Sequence, residues 1–422
     1  GDYWIDTSGE KHALKVWSSS SAMWTAVATS YVKISATGIG AGLAGGDGVT
    51  ISGASAAGTT MADQIAALNG SKIIQSLTDN SIVVIGLIDQ AYTQSTGTVS
   101  VSRSVPQMDF VIEAQNRLWG CRYGLVNGKT VNEIYACKLG DFKNWSRYLG
   151  ISTDSWTASV GSDGQWTGAI NYLGNPTFFK EDRVHQVEIS AIGAHSVNEM
   201  PCRGVQKGSS KSLVLVNETL YYKSKTDVCA YQGGFPAGIS EALGDKKYFD
   251  AVGGSYGEKY YISMKDASGA WTMFVYDINK GLWHKEDATH ALAFAATSNE
   301  LFYIDADSNT IIAANGAEGT LEAEVEWAAV TGIMYYAYPD HKYVSRYNIR
   351  LKMEERARLN VYIRYDSDGE WEYNGTIEFA GTNTMTLPIR PRRCDHLQIK
   401  LEGKGNVKIY SIASILELGS DI

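Results

Sequence analysis

The side chains able to carry chemistry are numerous but scattered. Seven histidines (His12, His185, His195, His284, His290, His341 and His396) fall in no H-E-x-x-H or other ligand spacing. His284 and His290, with Glu286 and Asp287 between them, come nearest to a cluster and read as a surface loop. The five cysteines (Cys121, Cys137, Cys202, Cys229 and Cys394) are odd in number, far apart and without a C-x-x-C pair. That pattern suits reduced, mostly buried thiols better than a disulfide framework or a zinc site. There is no G-x-S-x-G elbow, and Gly38 to Gly42 lacks the Lys and the Ser or Thr that a phosphate loop requires. No metal, cofactor or catalytic residue is therefore assigned, and the chain is read as not an enzyme. A propeller glycoside hydrolase is the lesser alternative, with Asp250, Asp277 and Glu286 meeting in a central cleft as its carboxylates.

The most suggestive group is basic. Arg350, Lys352, Arg356, Arg358 and Arg364 are followed by Arg390, Arg392 and Arg393 around Pro388 and Pro391. Arginine forks pair with carboxylates across an interface or with phosphates in a channel, so Arg350, Arg364, Arg390, Arg392 and Arg393 are the interface candidates. The bland reading is a set of solvated strand faces. A net charge of −9 argues against a surface that attracts nucleic acid or anionic membrane as a whole. No apolar run approaches the roughly 18 residues that span a bilayer, and no signal-peptide pattern opens the chain. No membrane insertion is expected, and the chain is expected to fold in a reducing compartment or to be released from one. The text begins at Gly1, inside what reads as a strand, so contacts at this end are expected to be incomplete.

The elements that must position these residues are strands. Aromatic residues make up 11% of 422, and Gly at 43 copies against Pro at 7 supplies turns between short strands. That length implies more than one domain. Residues 1 to 34 read as the first propeller strands, the third running from Met23 to Ile34. Residues 35 to 102 are nearly free of aromatics and rich in Gly, Ala, Ser and Thr, and read as an inserted β-rich module with a short helix from Met61 to Leu68. From 103 to 319 a phrase recurs, centred on Leu118, Leu173, Leu220, Tyr260 and Leu301 and roughly 40 to 55 residues apart, which is the length four strands and their turns consume in a propeller blade. Each phrase is expected to mark a blade's inner strand. Turns are expected at Asp163-Gly164-Gln165-Trp166, Ser268-Gly269-Ala270-Trp271 and Asp368-Gly369-Glu370-Trp371. From 320 to 422 apolar and polar residues alternate, as in an antiparallel sheet with one wet face, which implies a jelly-roll-like β-sandwich. The fold class is all-β: a propeller, an inserted module and a C-terminal sandwich.

Several ordered phrases carry a resemblance. Asn116-Arg117-Leu118-Trp119-Gly120, Ile134-Tyr135-Ala136-Cys137-Lys138-Leu139-Gly140-Asp141 and Phe178-Phe179-Lys180-Glu181, with Pro388 to His396 near the end, resemble propeller proteins of tailed bacteriophages. The group comprises tail nozzle (tail tubular protein B) and packaged-DNA stabilisation proteins, with the flavour of phages of gut Firmicutes. The sequence departs from that text at Cys137, where the family phrase has Ser, and the chain is shorter than nozzle proteins. The resemblance implies a virion structural protein of nozzle, collar or stopper type, made in the host cytoplasm. It implies a homo-oligomeric ring, six copies in nozzle proteins, around the DNA exit channel. Its partners would be other tail or head–tail connector proteins, and DNA would pass without sequence-specific binding. The alternative is a carbohydrate- or receptor-binding module of the virion.

Overall fold

Two-residue turns set the spacing of the strands. Gln115 and Asn116 have φ of 57° and 58°, Asn217 and Glu218 have 46° and 66°, and Leu173 and Gly174 have 49° and 88°. Paired left-handed residues are the backbone of the hairpin turn whose twist matches that of its flanking strands. A computed structural model describes residues 31–56, 61–88, 90–126, 128–190, 193–314, 326–336, 342–366, 369–390 and 392–417, and the backbone of three paired strands within 1–30. It divides into two compact units, Gly1–Asn315 and Gly316–Ile422.

In the first unit those turns join the first and second strands of successive antiparallel sheets, the blades of a β-propeller. The first blade comprises Phe110–Ala114, Arg117–Val126, Lys129–Ala136 and Trp156–Ser159. The second comprises Gly168–Tyr172, Asn175–Lys180, Arg183–Ile189 and His195–Pro201. Val214–Val216, Thr219–Lys223, Val228–Tyr231 and Ala237–Gly238 form the third, and Tyr248–Tyr256, Lys259–Asp266, Trp271–Asp277 and Leu282–Lys285 the fourth. Ala291–Ala296, Leu301–Asp305 and Ile311–Ala313 make a three-stranded fifth. Neighbouring blades meet mainly through their first strands, so those strands are innermost.

The recurring phrase, expected to mark the inner strand, instead marks the second strand of the first, third, fourth and fifth blades, and in the second blade its centre, Leu173, is in the turn just before that strand. The second strand is covered on both faces by adjacent blades, and every residue of Thr219–Lys223 is buried accordingly. Its near-continuous apolar text is the text of a strand with no wet face. Aromatic pairs fasten one blade to the next: Tyr172 to Tyr231 at 5.2 Å between ring centres, Phe179 to Tyr222 at 5.4 Å and Tyr221 to Tyr260 at 5.4 Å. Such pairs add about 0.5 to 1.5 kcal/mol each beyond the burial of their area.

Two of the expected turns can be placed. Gly269, at φ 90°, closes the hairpin between Lys259–Asp266 and Trp271–Asp277. Gly164 does have φ of 102°, but its segment crosses from the first blade to the second rather than closing a hairpin. Asp368 lies outside the described residues.

The strand read from Met23 to Ile34 resolves into Met23–Ala26 and Tyr31–Ser35, and the latter belongs to the inserted module. The module's five-stranded sheet runs in the order Tyr31–Ser35, Ser81–Ile85, Gly70–Thr78, Gly48–Ser52 and Ser100–Ser102, with the helix Ala62–Ala66 beside it. Asp47 fixes the module to the first blade. Its fully buried carboxylate accepts from Arg103 at 2.7 Å, Arg147 at 3.0 Å, the Asn144 amide at 2.8 Å and the Ala44 N–H at 2.9 Å. Burial works to raise its pKa, but the bonds from Arg103, Asn144, Ala44 and Arg147 outweigh that and hold it below the usual carboxylate value.

The second unit is a β-sandwich. Glu326–Val330, Leu397–Lys404, Arg358–Tyr365 and Glu372–Ile377 form one sheet. In the other, Lys342–Met353 pairs with Gly381–Thr386, Arg393–Cys394 and Val407–Glu417. Inward residues alternate with outward ones, as in Leu359, Val361, Ile363 and Tyr365 against Arg358, Asn360, Tyr362 and Arg364.

Candidate functional site

In an up-and-down blade the start of strand one, the end of strand two and the start of strand three share one end. That end is the incoming face of the propeller. Asp250 stands there, near the start of the fourth blade's inner strand, at a bulge between Phe249 and Val252. Its φ of 51° is left-handed, a conformation that bulges impose and that Asp tolerates better than most residues. The carboxylate, half exposed, pairs with the ammonium of Lys265 on the adjacent strand. Lys265 also lies 5.8 Å over the ring of Trp271, which stacks face to face on His290 at 3.7 Å.

A second carboxylate approaches the same place from the second blade. Glu181, in the turn after Asn175–Lys180, accepts the Lys207 N–H at 3.1 Å. The next residue, Gly208, has φ of 87°, and a Cβ there would lie 2.7 Å from Asp250 Oδ1. That conformation favours glycine, and a Cβ there would push the Asp250 carboxylate aside. Glu181 and Asp250 thus approach two adjacent residues, Lys207 and Gly208, which bounds the separation of their nearest oxygens at roughly 12 Å given the dimensions of a single residue. Glycosidase carboxylate pairs stand roughly 5 to 9.5 Å apart.

The carboxylates singled out in the sequence do not converge. Asp250 is at this face, whereas Asp277 ends the third strand of its blade, at the opposite end, and binds Lys280 at 2.9 Å and the Lys280 N–H at 3.1 Å. Glu286 follows the outermost strand and is exposed. His284 is exposed on that outer strand, while His290 belongs to the Trp271 stack. Glu181 appeared in the sequence only within a strand phrase. The readable signal was a glycine directly after a lysine, at the crossing into the third blade.

A Ser, a His and a Glu do meet between the first and second blades, but not in a catalytic order. Ser162 Oγ lies 3.0 Å from His185 Nε2, and Glu199 Oε2 lies 3.4 Å from that same nitrogen. A relay needs the acid on the other ring nitrogen, and among the described residues His185 Nδ1 has no hydrogen-bond partner. His185 is fully buried, and burial lowers its pKa to about 4 against the opposing pull of Glu199. Beside it the buried Lys180 ammonium bonds Asn132 Oδ1 at 3.1 Å and the Ser162 carbonyl, and lies 4.6 Å over Trp166. This cluster holds two blades together.

The candidate arginines sit on the sandwich, and three of them bond within it. Arg392 binds Glu372 at 3.1 Å and lies 3.9 Å over Tyr365. Arg364 bonds Gln398 and lies 5.0 Å over Trp371. Arg350 donates to Thr384 at 3.2 Å, while Arg390 and Arg393 are exposed. Of the five thiols, Cys121, Cys137, Cys229 and Cys394 are buried and Cys202 is partly so. Burial pushes all five thiol pKa values up, Cys202 to about 11, so they are poor nucleophiles at neutral pH.

No family model matches this chain, and no curated protein does. Among solved structures it is similar to an exo-β-1,3-galactanase from Phanerochaete chrysosporium, at 10% identity and a TM-score of 0.27, over 71% of this chain and 94% of that one. It is likewise similar to a glycoside hydrolase family 43 arabinoxylan arabinofuranohydrolase from Bacillus subtilis, at 11% identity and a TM-score of 0.22, over 73% and 95%. Likeness at such identity concerns fold alone. Both structures are nevertheless enzymes that act on glycans, and with that finding the expectation that this chain is not an enzyme is corrected and withdrawn.

Proposed function

We propose that this chain is a carbohydrate-engaging β-propeller protein, with glycoside hydrolysis as the chemistry of its incoming face. One observation carries the reading: Glu181 from the second blade and Asp250 from the fourth converge on the adjacent residues Lys207 and Gly208, as a pair of carboxylates on either side of a glycosidic bond must converge. Asp250, ion-paired with Lys265, takes the role of the carboxylate facing the anomeric carbon, and Glu181 that of the proton donor. The test is a glycan array followed by reducing-end release from each bound glycan. Binding with cleavage that falls at least a hundredfold in Asp250→Asn and in Glu181→Gln supports the proposal. Absence of binding, or cleavage indifferent to both substitutions, overturns it.

A second reading is a ring-forming wall of a tailed-phage particle. The phrases that resemble nozzle and stabilisation proteins favour it, because they fall on the second strands of the first two blades, on the end of the first blade's third strand and the loop after it, and on the sandwich segment carrying Arg390, Arg392 and Arg393. Electron microscopy of the purified chain tests this reading: closed rings support it, and dispersed single copies at high concentration count against it.

A further inference from the structure

Beside the third blade lies a cleft of about 560 Å³ that the proposed hydrolytic site does not use. Its walls are the turn after Thr219–Lys223 and the chain returning from Ala237–Gly238 to the fourth blade. In a chain of net charge −9 it gathers Arg203, Lys223, Lys225, Lys246 and Lys247 against Asp227, Glu241 and Asp245.

Lys223 is the unusual member. It is 3% exposed, and among the described residues its ammonium bonds only the carbonyl oxygen of Ser224, at 2.5 Å. Asp227, the nearest acid, is committed elsewhere: Oδ2 takes the Arg203 guanidinium and the Thr226 hydroxyl. Lys246 is turned toward Asp266 at 3.7 Å. A buried ammonium is costly unless an anion and further hydrogen bonds compensate it, and here one neutral carbonyl does that work alone. Burial accordingly lowers its pKa to about 8, with Cys229 and Asp227 pulling the other way, so most molecules still carry the charge at neutral pH.

We infer that this cleft binds an oxyanion, a carboxylate or phosphate group on a ligand of about monosaccharide size, with Lys223 as its buried counter-charge and Lys225 and Lys247 at its rim. The inference stands independently of the Glu181 and Asp250 pair and survives the failure of that reading.

The test is calorimetric titration of the whole chain with glucuronate, inorganic phosphate and glucose, at low and high salt. Saturable binding of glucuronate or phosphate, weakened severalfold by salt and absent for glucose, is expected. A response to glucuronate alone identifies an acidic sugar, and one to phosphate alone a phosphorylated ligand. Lys223→Met should weaken binding at least tenfold, whereas Asp250→Asn should leave it unchanged. Should Lys223→Met fail to fold, Lys225→Glu with Lys247→Glu, both exposed, should produce a comparable loss. Absence of saturable binding of either anion, or binding indifferent to the cleft variants, overturns the inference.

Discussion

Asp47 and Asn144 are hydrogen-bonded at 2.8 Å across 97 positions of sequence, one from the inserted module and the other from the first blade. Arg103 and Arg147 close on the same carboxylate, so a single fully buried acid bridges two guanidinium groups, which also pair with Asp141 and Asp154 respectively. Removing one partner of such a set leaves uncompensated buried charge, which costs about 3 to 5 kcal/mol. Asp47→Ala should therefore lower stability by that amount in urea titration. It should also open the 97–105 segment to proteolysis while the blades stay protected.

His185 makes stability depend on acidity. The folded state keeps it neutral down to about pH 4, whereas its ordinary value is 6.5. Between those limits the unfolded chain binds the extra proton, so stability falls as pH drops from 6.5 toward 4. The full loss is roughly 3 kcal/mol. Glu199, Lys180 and Arg183 face the ring, and the last two oppose its protonation. His185→Gln should flatten the stability profile over that interval.

Lys223 has the opposite consequence at the alkaline end. Its amine loses its proton near pH 8 when folded and near 10.5 when free. Across that window the unfolded chain again holds more protons, so stability rises with pH, by roughly 3 kcal/mol in all. Lys223→Met should be as stable as the parent or more so at neutral pH, and should lose the alkaline gain. A parent profile flat from pH 8 to 10 would show that the amine is solvated.

The arginines should separate by role. Arg392→Ala removes the bond to Glu372 and the stacking on Tyr365, and should destabilise the sandwich by about 1 kcal/mol in thermal or urea melts. Arg390→Glu and Arg393→Glu, at exposed positions, should leave the melt unchanged. If the chain assembles into rings, these two are the substitutions expected to disperse them in sedimentation experiments.

The all-β class, the inserted module and the sandwich were legible because alternation and composition change where the architecture changes. Glycine and asparagine marked the turns, and Gly269 sits in the hairpin its text announced. The order of strands within a blade was not legible. Leu220 and Tyr260 are apolar because neighbouring blades cover both faces of the second strand, and burial of that kind reads the same as an inner position. The incoming face was hidden for another reason. Glu181, Gly208 and Asp250 come from the second blade, the crossing into the third and the fourth blade, and their meeting depends on how separate sheets stand beside one another, which leaves no local periodicity.

The module's sheet begins at one edge, with Tyr31–Ser35, and finishes at the other, with Ser100–Ser102. Tension along the chain would thus act across the strands, over about 19 Å at the usual interstrand spacing, and would part the ladders one hydrogen bond at a time like a zipper. Asp47 diverts that load. By tying Arg103, just past the final strand, to Asn144 and Arg147, it lets force pass into the first blade without crossing the sheet.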